Sequence, residues 1–395
     1  MKKFACSLVL SLVVASCGRA AVSIPPAENF LPDDTLGMFT VPDCTKSCEL
    51  NHQSAQMNFW HDAAMKPFTD KFMAKLNSEL VGPLERDLGI SFSNYAGLAQ
   101  GQLTFAVVQN GWQGKAETLP GWLFLLDTRT NSAKLKSNLT ELKQKWTDAN
   151  KPIKSETIHG VDFTVLMLSS NDVPATLKKF SKQPKKLPTS DDSAEAAPKK
   201  TAPLVEVYLG QYDSLFIAGN SPKAIEKILA TLGGSQSPTL SEQPNFVANQ
   251  SKLFRDAGAF AWINAKVIAD IFTHRLDEDA AANAGKASLL PVRYEKILAA
   301  TGLKAVRSIA FSVHPSPEGS TAQIFFAVPE TERVGLMKIL AGETKETALP
   351  AFVPADVVKV SRWRFGGQKA WDTLEKMINE ISPVAIGTML LWGAL

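Results

Sequence analysis

Residues 204–234 read LVEVYLGQYDSLFIAGNSPKAIEKILATLGG, which is two strands, their turn and a complete helix in one run. Residues 204–209 and 214–218 are expected strands, separated by a turn at 210–213. Ser221 is placed to cap a helix, and Pro222 suits its first position because the missing N–H has no helical partner there. Ile225, Ile228, Leu229 and Leu232 then recur at helical spacing until Gly233-Gly234 stops them. The same order occurs on both sides of this stretch. Residues 102–109 (QLTFAVVQ) and 121–127 (GWLFLLD) are joined by a loop holding Gly111, Gly114 and Pro120, and Leu135, Leu139, Leu142 and Trp146 follow as a helical stripe. Residues 306–313 pair with 321–328 through a turn at 315–319, before a helix carrying Val334, Met337 and Leu340 and ending at Gly342. These starts lie roughly 100 residues apart, a weak sign of internal repetition, with ordinary strand-and-helix grammar as the alternative. The fold class is α+β: antiparallel sheets from repeated β-β-α units, with helices packed on one face.

Composition agrees with a folded chain. Of 395 residues, 45% are hydrophobic and 21% charged, which excludes disordered, fibrous and multi-span membrane classes. A net charge of +3 supplies no field for nucleic acid, and none is expected as a partner.

The N-terminus reads as an export signal over residues 1–20. Lys2 and Lys3 precede an apolar stretch from residue 4 to 15, shorter than the ~20 residues needed to span a bilayer. Val14-Ala15-Ser16-Cys17 resembles a bacterial lipobox, in which Cys17 is acylated and becomes the mature N-terminus. Gly18-Arg19-Ala20 offers an ordinary signal-peptidase site instead, and a retained anchor is the third reading. The lipobox is preferred. Gly18 after the cysteine, with no Asp to retain the chain at the inner membrane, then points to the outer membrane. Losing Lys2 and Lys3 leaves the body close to neutral.

Residues 21–30 form a tether and 31–345 the main domain. Within the latter, Met65, Phe68, Phe72, Leu76 and Leu80 mark a helix expected to stop at Gly82-Pro83. Residues 181–203 (SKQPKKLPTSDDSAEAAPKKTAP) hold almost no large apolar side chain and read as a flexible surface insert. Residues 349–356 (LPAFVPAD) echo Leu31-Pro32-Asp33-Asp34, and a strand at 357–363 and a helix with Trp371, Leu374, Ile378 and Ile381 follow. Residues 349–395 are therefore expected to open a second domain that is cut short, the alternative being a C-terminal helix docked on the first.

Few residues invite chemistry. Cys44, Cys48 and His52 recur every fourth residue, with Met57 and His61 beyond, so on a helix they share a face. Thiolates beside imidazole suit copper(I) or zinc. A disulfide is the competing reading in an oxidising compartment, although regular i,i+4 geometry fits one poorly; incidental free thiols are the third. His159-Gly160 is expected to be a two-residue turn, His274 to sit at a helix end, and His314 to close a strand before Pro315. Asp127 ends a strand ahead of a helix, where loop and capping roles outnumber catalytic ones. Trp112, between Gly111 and Gly114, is a candidate contact surface. No phosphate-binding loop, nucleophile elbow or HExxH motif is present, and no cofactor is expected.

Several stretches together resemble the bacterial family known as domain of unknown function 3352. They are Leu31-Pro32-Asp33-Asp34, residues 84–90 (LERDLGI), 97–105 (GLAQGQLTF), 122–127, 214–229 (SLFIAGNSPKAIEKIL) and 240–246 (LSEQPNF), spanning roughly 31–275. The resemblance implies an exported envelope protein and carries over no catalytic residue. The cysteine pair is not part of the likeness. The sequence thus points to a non-enzymatic scaffold or binding module in the periplasm, lipid-anchored at Cys17, with an envelope protein or polymer as partner. The alternative is an extracytoplasmic metal-binding or thiol-redox protein using Cys44, Cys48 and His52.

Overall fold

The computed structural model describes residues 23–52, 54–88, 91–95, 97–115, 118–168, 205–282, 294–316, 319–341, 351–354 and 366–381. The expected export signal with Cys17, the expected insert at 181–203, the strand expected at 357–363 and the helix stop expected at Gly342 lie outside them.

Among the described residues ten strands form one sheet: β1 (Thr35–Val41), β2 (Leu103–Val108), β3 (Gly121–Asp127), β4 (Ile153–Ile158), β5 (Val161–Leu168), β6 (Val205–Tyr212), β7 (Leu215–Gly219), β8 (Ala259–Ile263), β9 (Ser308–Ser316) and β10 (Gly319–Ala327). Their order is β10-β9-β8-β1-β2-β3-β7-β6-β5-β4, and every neighbouring pair is antiparallel. The chain is thus mixed helix and strand around one large antiparallel sheet. The three expected hairpins are there as β2–β3, β6–β7 and β9–β10, with β1, β4, β5 and β8 completing the same sheet.

Alternation along each strand separates two faces. The inner face carries Met38, Ala106, Leu123, Ile217, Val165, Trp262 and Ala310, all buried. Residues 25–34 cross this face beside β2, starting where Gln102 Nε2 donates to the Pro25 carbonyl (2.8 Å) and ending where the Gln109 N–H donates to Asp34 O (2.8 Å). Ala27, Phe30 and Leu31 are buried on the way. Helix α7 (Pro222–Leu232) adds Ile225, Ile228 and Leu229 to the same core. Ser221 Oγ accepts from the Ala224 N–H (3.2 Å), and Gly233 closes the helix, as the sequence required. Helix α8 (Pro244–Asn249) brings Phe246 edge-on to the fully buried Trp262, with ring centroids 5.5 Å apart.

Helix α6 (Ser132–Asp148) lies on the other face. Its Lys143 Nζ donates to Ser155 Oγ (3.0 Å) and its Ser132 carbonyl accepts from Gln211 Nε2 (3.0 Å), and both Ser155 and Gln211 belong to outer-face positions. The expectation of helices on one face therefore fails. The β3–β7 region has apolar residues on both sides, such as Leu123 with Phe124 and Phe216 with Ile217, so one layer cannot cover it.

Among the described residues between β1 and β2 stand the helices α1 (Cys44–His52), α2 (Ala55–His61), α3 (Lys66–Leu76), α4 (Gly82–Leu88) and α5 (Phe92–Tyr95). Gly82-Pro83 does not stop this run. A π-helical turn at Asn77–Val81 leads directly into α4, so the chain stays helical through Pro83, with the wider turn placed just before the residue that has no N–H to donate. Helix α9 (Ala265–Ala282) follows β8, and α10 (Tyr294–Thr301), α11 (Gly335–Leu340) and α12 (Gly367–Ile381) pack on one another. Residues 367–381 thus rest on the main body through α10 and α11. No described helix is long and apolar enough to cross a membrane.

Candidate functional site

Helix α1 carries the cysteine pair and is fixed at its root. The Cys44 N–H donates to Gly101 O (2.8 Å), Thr45 N–H to Gln100 O (3.2 Å), and Ser47 Oγ to Gly258 O (3.0 Å). Cys44 is half-buried and Cys48 exposed, and no S–S bond joins them in this structure. The reason is geometric: i,i+4 positions on a regular helix hold their Cα and Cβ atoms poorly for an S–S bond. Burial, followed by the neighbouring Asp43 carboxylate, pushes the Cys44 thiol above its ordinary pKa, the reverse of what a nucleophile or soft-metal ligand needs. His52 is exposed at the end of the helix, and no cluster of three metal-ligating side chains exists among the described residues.

Asp127 is buried at the foot of β3 and held through Oδ1 and its backbone. Its Oδ1 accepts from Ser214 Oγ (2.7 Å) and from the Arg129 N–H (3.0 Å), while its backbone bonds Gly101 and Gln102. Arg129 reaches across to Asp43 (2.6 Å). Burial alone would raise the Asp43 carboxyl, yet the Lys46 N–H and Arg129 outweigh it and leave it below its usual range. This corner is a clamp joining α1 to the sheet end.

Trp112 is half-buried, not presented freely. Its ring meets Phe272 of α9 edge-on at 6.1 Å, and its backbone is bracketed by Gln109. His159 and Gly160 form the expected turn, with φ of 49° and 77°. His274 lies within α9 beside Glu278 (3.6 Å), not at a helix end, and His314 in β9 meets the Leu253 carbonyl (3.0 Å).

One polar group escaped the sequence reading. On the inner face near the β4 edge, Tyr208 Oη donates to Glu206 (2.8 Å), which also accepts from Lys154 (2.9 Å), with Glu156 alongside. Burial first, then Glu206, pushes the Tyr208 phenol well above its ordinary value; the Lys154 and Tyr208 bonds lower the Glu206 carboxyl, and the Glu206 bond raises Lys154. The signal was the i,i+2 spacing of both pairs, which puts them on one strand face. Lys154 and the Tyr208 hydroxyl both engage Glu206 and Glu156, so every member of the group has a partner within it, and it holds one more carboxylate than cations.

What remains uncovered is apolar. Ile324, Phe311, Ala261, Phe39, Phe105, Phe124, Ala218 and Leu209 stand opposite one another in a single outer-face row across eight strands, and only Thr164 and Ser155 beyond them are polar. Toward β10 this row is open: Phe39 is 41% exposed, Phe105 43% and Ile324 66%. At the same edge but on the inner face, a groove of about 470 Å³ runs between β10 and the segment from α8 to Leu253, lined by Asn249, Lys252, Leu253, Gln323, Ile324 and Phe325. Such a surface can bind an apolar or extended partner; it holds no set of groups for bond-making. Comparison with family models, curated proteins and solved structures gives no match.

Proposed function

We propose that the protein is an exported cell-envelope scaffold or binding module, without catalysis, held at the outer membrane by lipid on Cys17. The observation that carries the binding half is the open outer-face row from Phe105 to Ile324, an apolar surface larger than scattered exposure explains. The export half rests on residues 1–20 and on the family resemblance, which is part of the proposal. The partner is an envelope protein or polymer able to lie on an apolar sheet face. The three hairpins, each followed by a helix, support the further reading that they derive from one β-β-α unit.

The test is a photo-crosslinker placed at Phe105 in the native host. A single reproducible envelope partner, lost in Phe39→Ser/Phe105→Ser, supports the reading; robust turnover of an envelope polymer by the purified protein sinks it. Intact mass of the native chain checks the anchor, expected as cleavage before Cys17 plus acyl chains. The alternative, metal or redox work at Cys44, Cys48 and His52, draws on two free thiols in one helix. Anaerobic purification without bound copper or zinc, and no phenotype in Cys44→Ser, ends it.

A further inference from the structure

We infer that helices α2 and α3 form a foot that inserts into a lipid surface beside the N-terminal anchor; this rests on the envelope reading above. Between β1 and β2 the chain leaves the sheet, and neither α1 nor α3 buries a single residue. Phe59 (56% exposed), Trp60 (37%), Phe68 (54%), Phe72 (50%) and Met73 (58%) gather there instead. Trp60 sits 6.0 Å from Phe68 and 6.5 Å from Phe72, so the rings form one continuous patch. Phe68, Phe72 and Leu76 repeat every fourth residue along α3, and Lys66 and Lys75 fall on the two flanks of that stripe. Apolar rings in the middle with lysine stems at the sides is the arrangement of a helix lying in a bilayer interface, where the stems reach back to the headgroups.

The position of the foot selects lipid over a protein partner. Its root and the chain's N-terminal exit are the same corner: Cys44 N–H bonds Gly101 O, and the next residue, Gln102, holds the Pro25 carbonyl. Seven residues lie between Cys17 and Pro25, eight Cα–Cα steps that reach at most about 28 Å. A membrane that receives the acyl chains therefore lies within reach of the foot. Asp62, Asp70 and Glu79 balance Lys66, Lys71 and Lys75, so ring insertion drives binding and salt weakens it little.

The experiment uses the chain begun at Ser23, which holds every described element of the sheet and its layers, with vesicles of phosphatidylethanolamine and phosphatidylglycerol. Co-sedimentation is expected, falling at least tenfold in Phe68→Ser/Phe72→Ser and unchanged in Phe352→Ser, another exposed ring. Brominated lipid should quench tryptophan fluorescence, and Trp60→Phe should remove that quenching, a readout that does not depend on the double variant folding. No sedimentation, equal binding by the double variant, quenching indifferent to Trp60, or a foot that crosslinks only to protein overturns the inference. Because this chain lacks Cys17, its result stands apart from the mass measurement that tests the anchor.

Discussion

Gly302 and Gly335 meet where α10 ends and α11 begins, and both have positive φ, 77° and 51°. A Cβ on Gly335 would lie 2.8 Å from Thr301 Cα and overlap the Ala300 carbonyl, which cannot yield because it is backbone. Gly335→Ala should therefore destabilise by about 2–4 kcal/mol in denaturant melts, combining overpacking with left-handed strain. Glu28 makes a different kind of prediction. Its burial raises the carboxyl above its ordinary value, against its own N–H and a bond from Gln250 (3.1 Å). The folded state then holds the proton more tightly than the unfolded one. Its contribution is complete below the ordinary carboxylate range and is lost as pH rises through the raised value. Glu28→Gln should leave Tm unchanged near pH 3.5 and raise it at pH 7, while a drop at pH 7 would show the carboxylate itself is needed. Ser221 and His159-Gly160 were readable in sequence because capping and turn geometry are settled within three residues. The Asp127 clamp and the Trp112–Phe272 contact were not, because their partners lie 87 and 160 residues away.

Helix α7 illustrates how an element can be legible. Its cap, stop and stripe are all local, and the stripe's burial under the sheet follows once the neighbouring strands alternate. Ser221→Ala should cost about 1 kcal/mol, and Ile228→Ala about 2–5 kcal/mol because it empties a fully buried site. Gly210 in β6 is the strand counterpart. The Phe163 ring lies over it from β5, 2.5 Å from where a Cβ would stand, so Gly210→Ala should destabilise by about 1–3 kcal/mol through displacement of that ring. The helices of the β1–β2 excursion were less legible. Gly82-Pro83 carries the marks of a stop, yet a proline in the first turn starts a helix as well as it ends one, and the π turn before it has no sequence mark. The same ambiguity hid which sheet face α6 would take: Leu135 and Trp146 demand burial without saying on which side.

At the scale of the molecule the two sheet edges differ in kind. The β4 edge carries Lys154 and Glu156, and hydroxyls at Ser155 and Thr157, charges and polar groups that discourage another strand from pairing. The β10 edge, GSTAQIFFA, has no charge along nine residues and exposes Ile324, Phe325 and Phe326 in succession. Strand order could not be read from the sequence, since hairpin signals fix neighbours within a pair and not the place of β1 between β2 and β8. Once that order is known, β10 becomes an edge and its composition becomes a liability. Purified protein should therefore associate as its concentration rises, seen as an increasing weight-average mass in sedimentation equilibrium. Ile324→Lys/Phe326→Lys should abolish that increase and leave Tm within a degree or two, because side chains this exposed contribute little to the fold. A wild-type mass independent of concentration would mean the edge is protected in solution. A large drop in Tm would mean that Ile324 and Phe326 support the sheet from within.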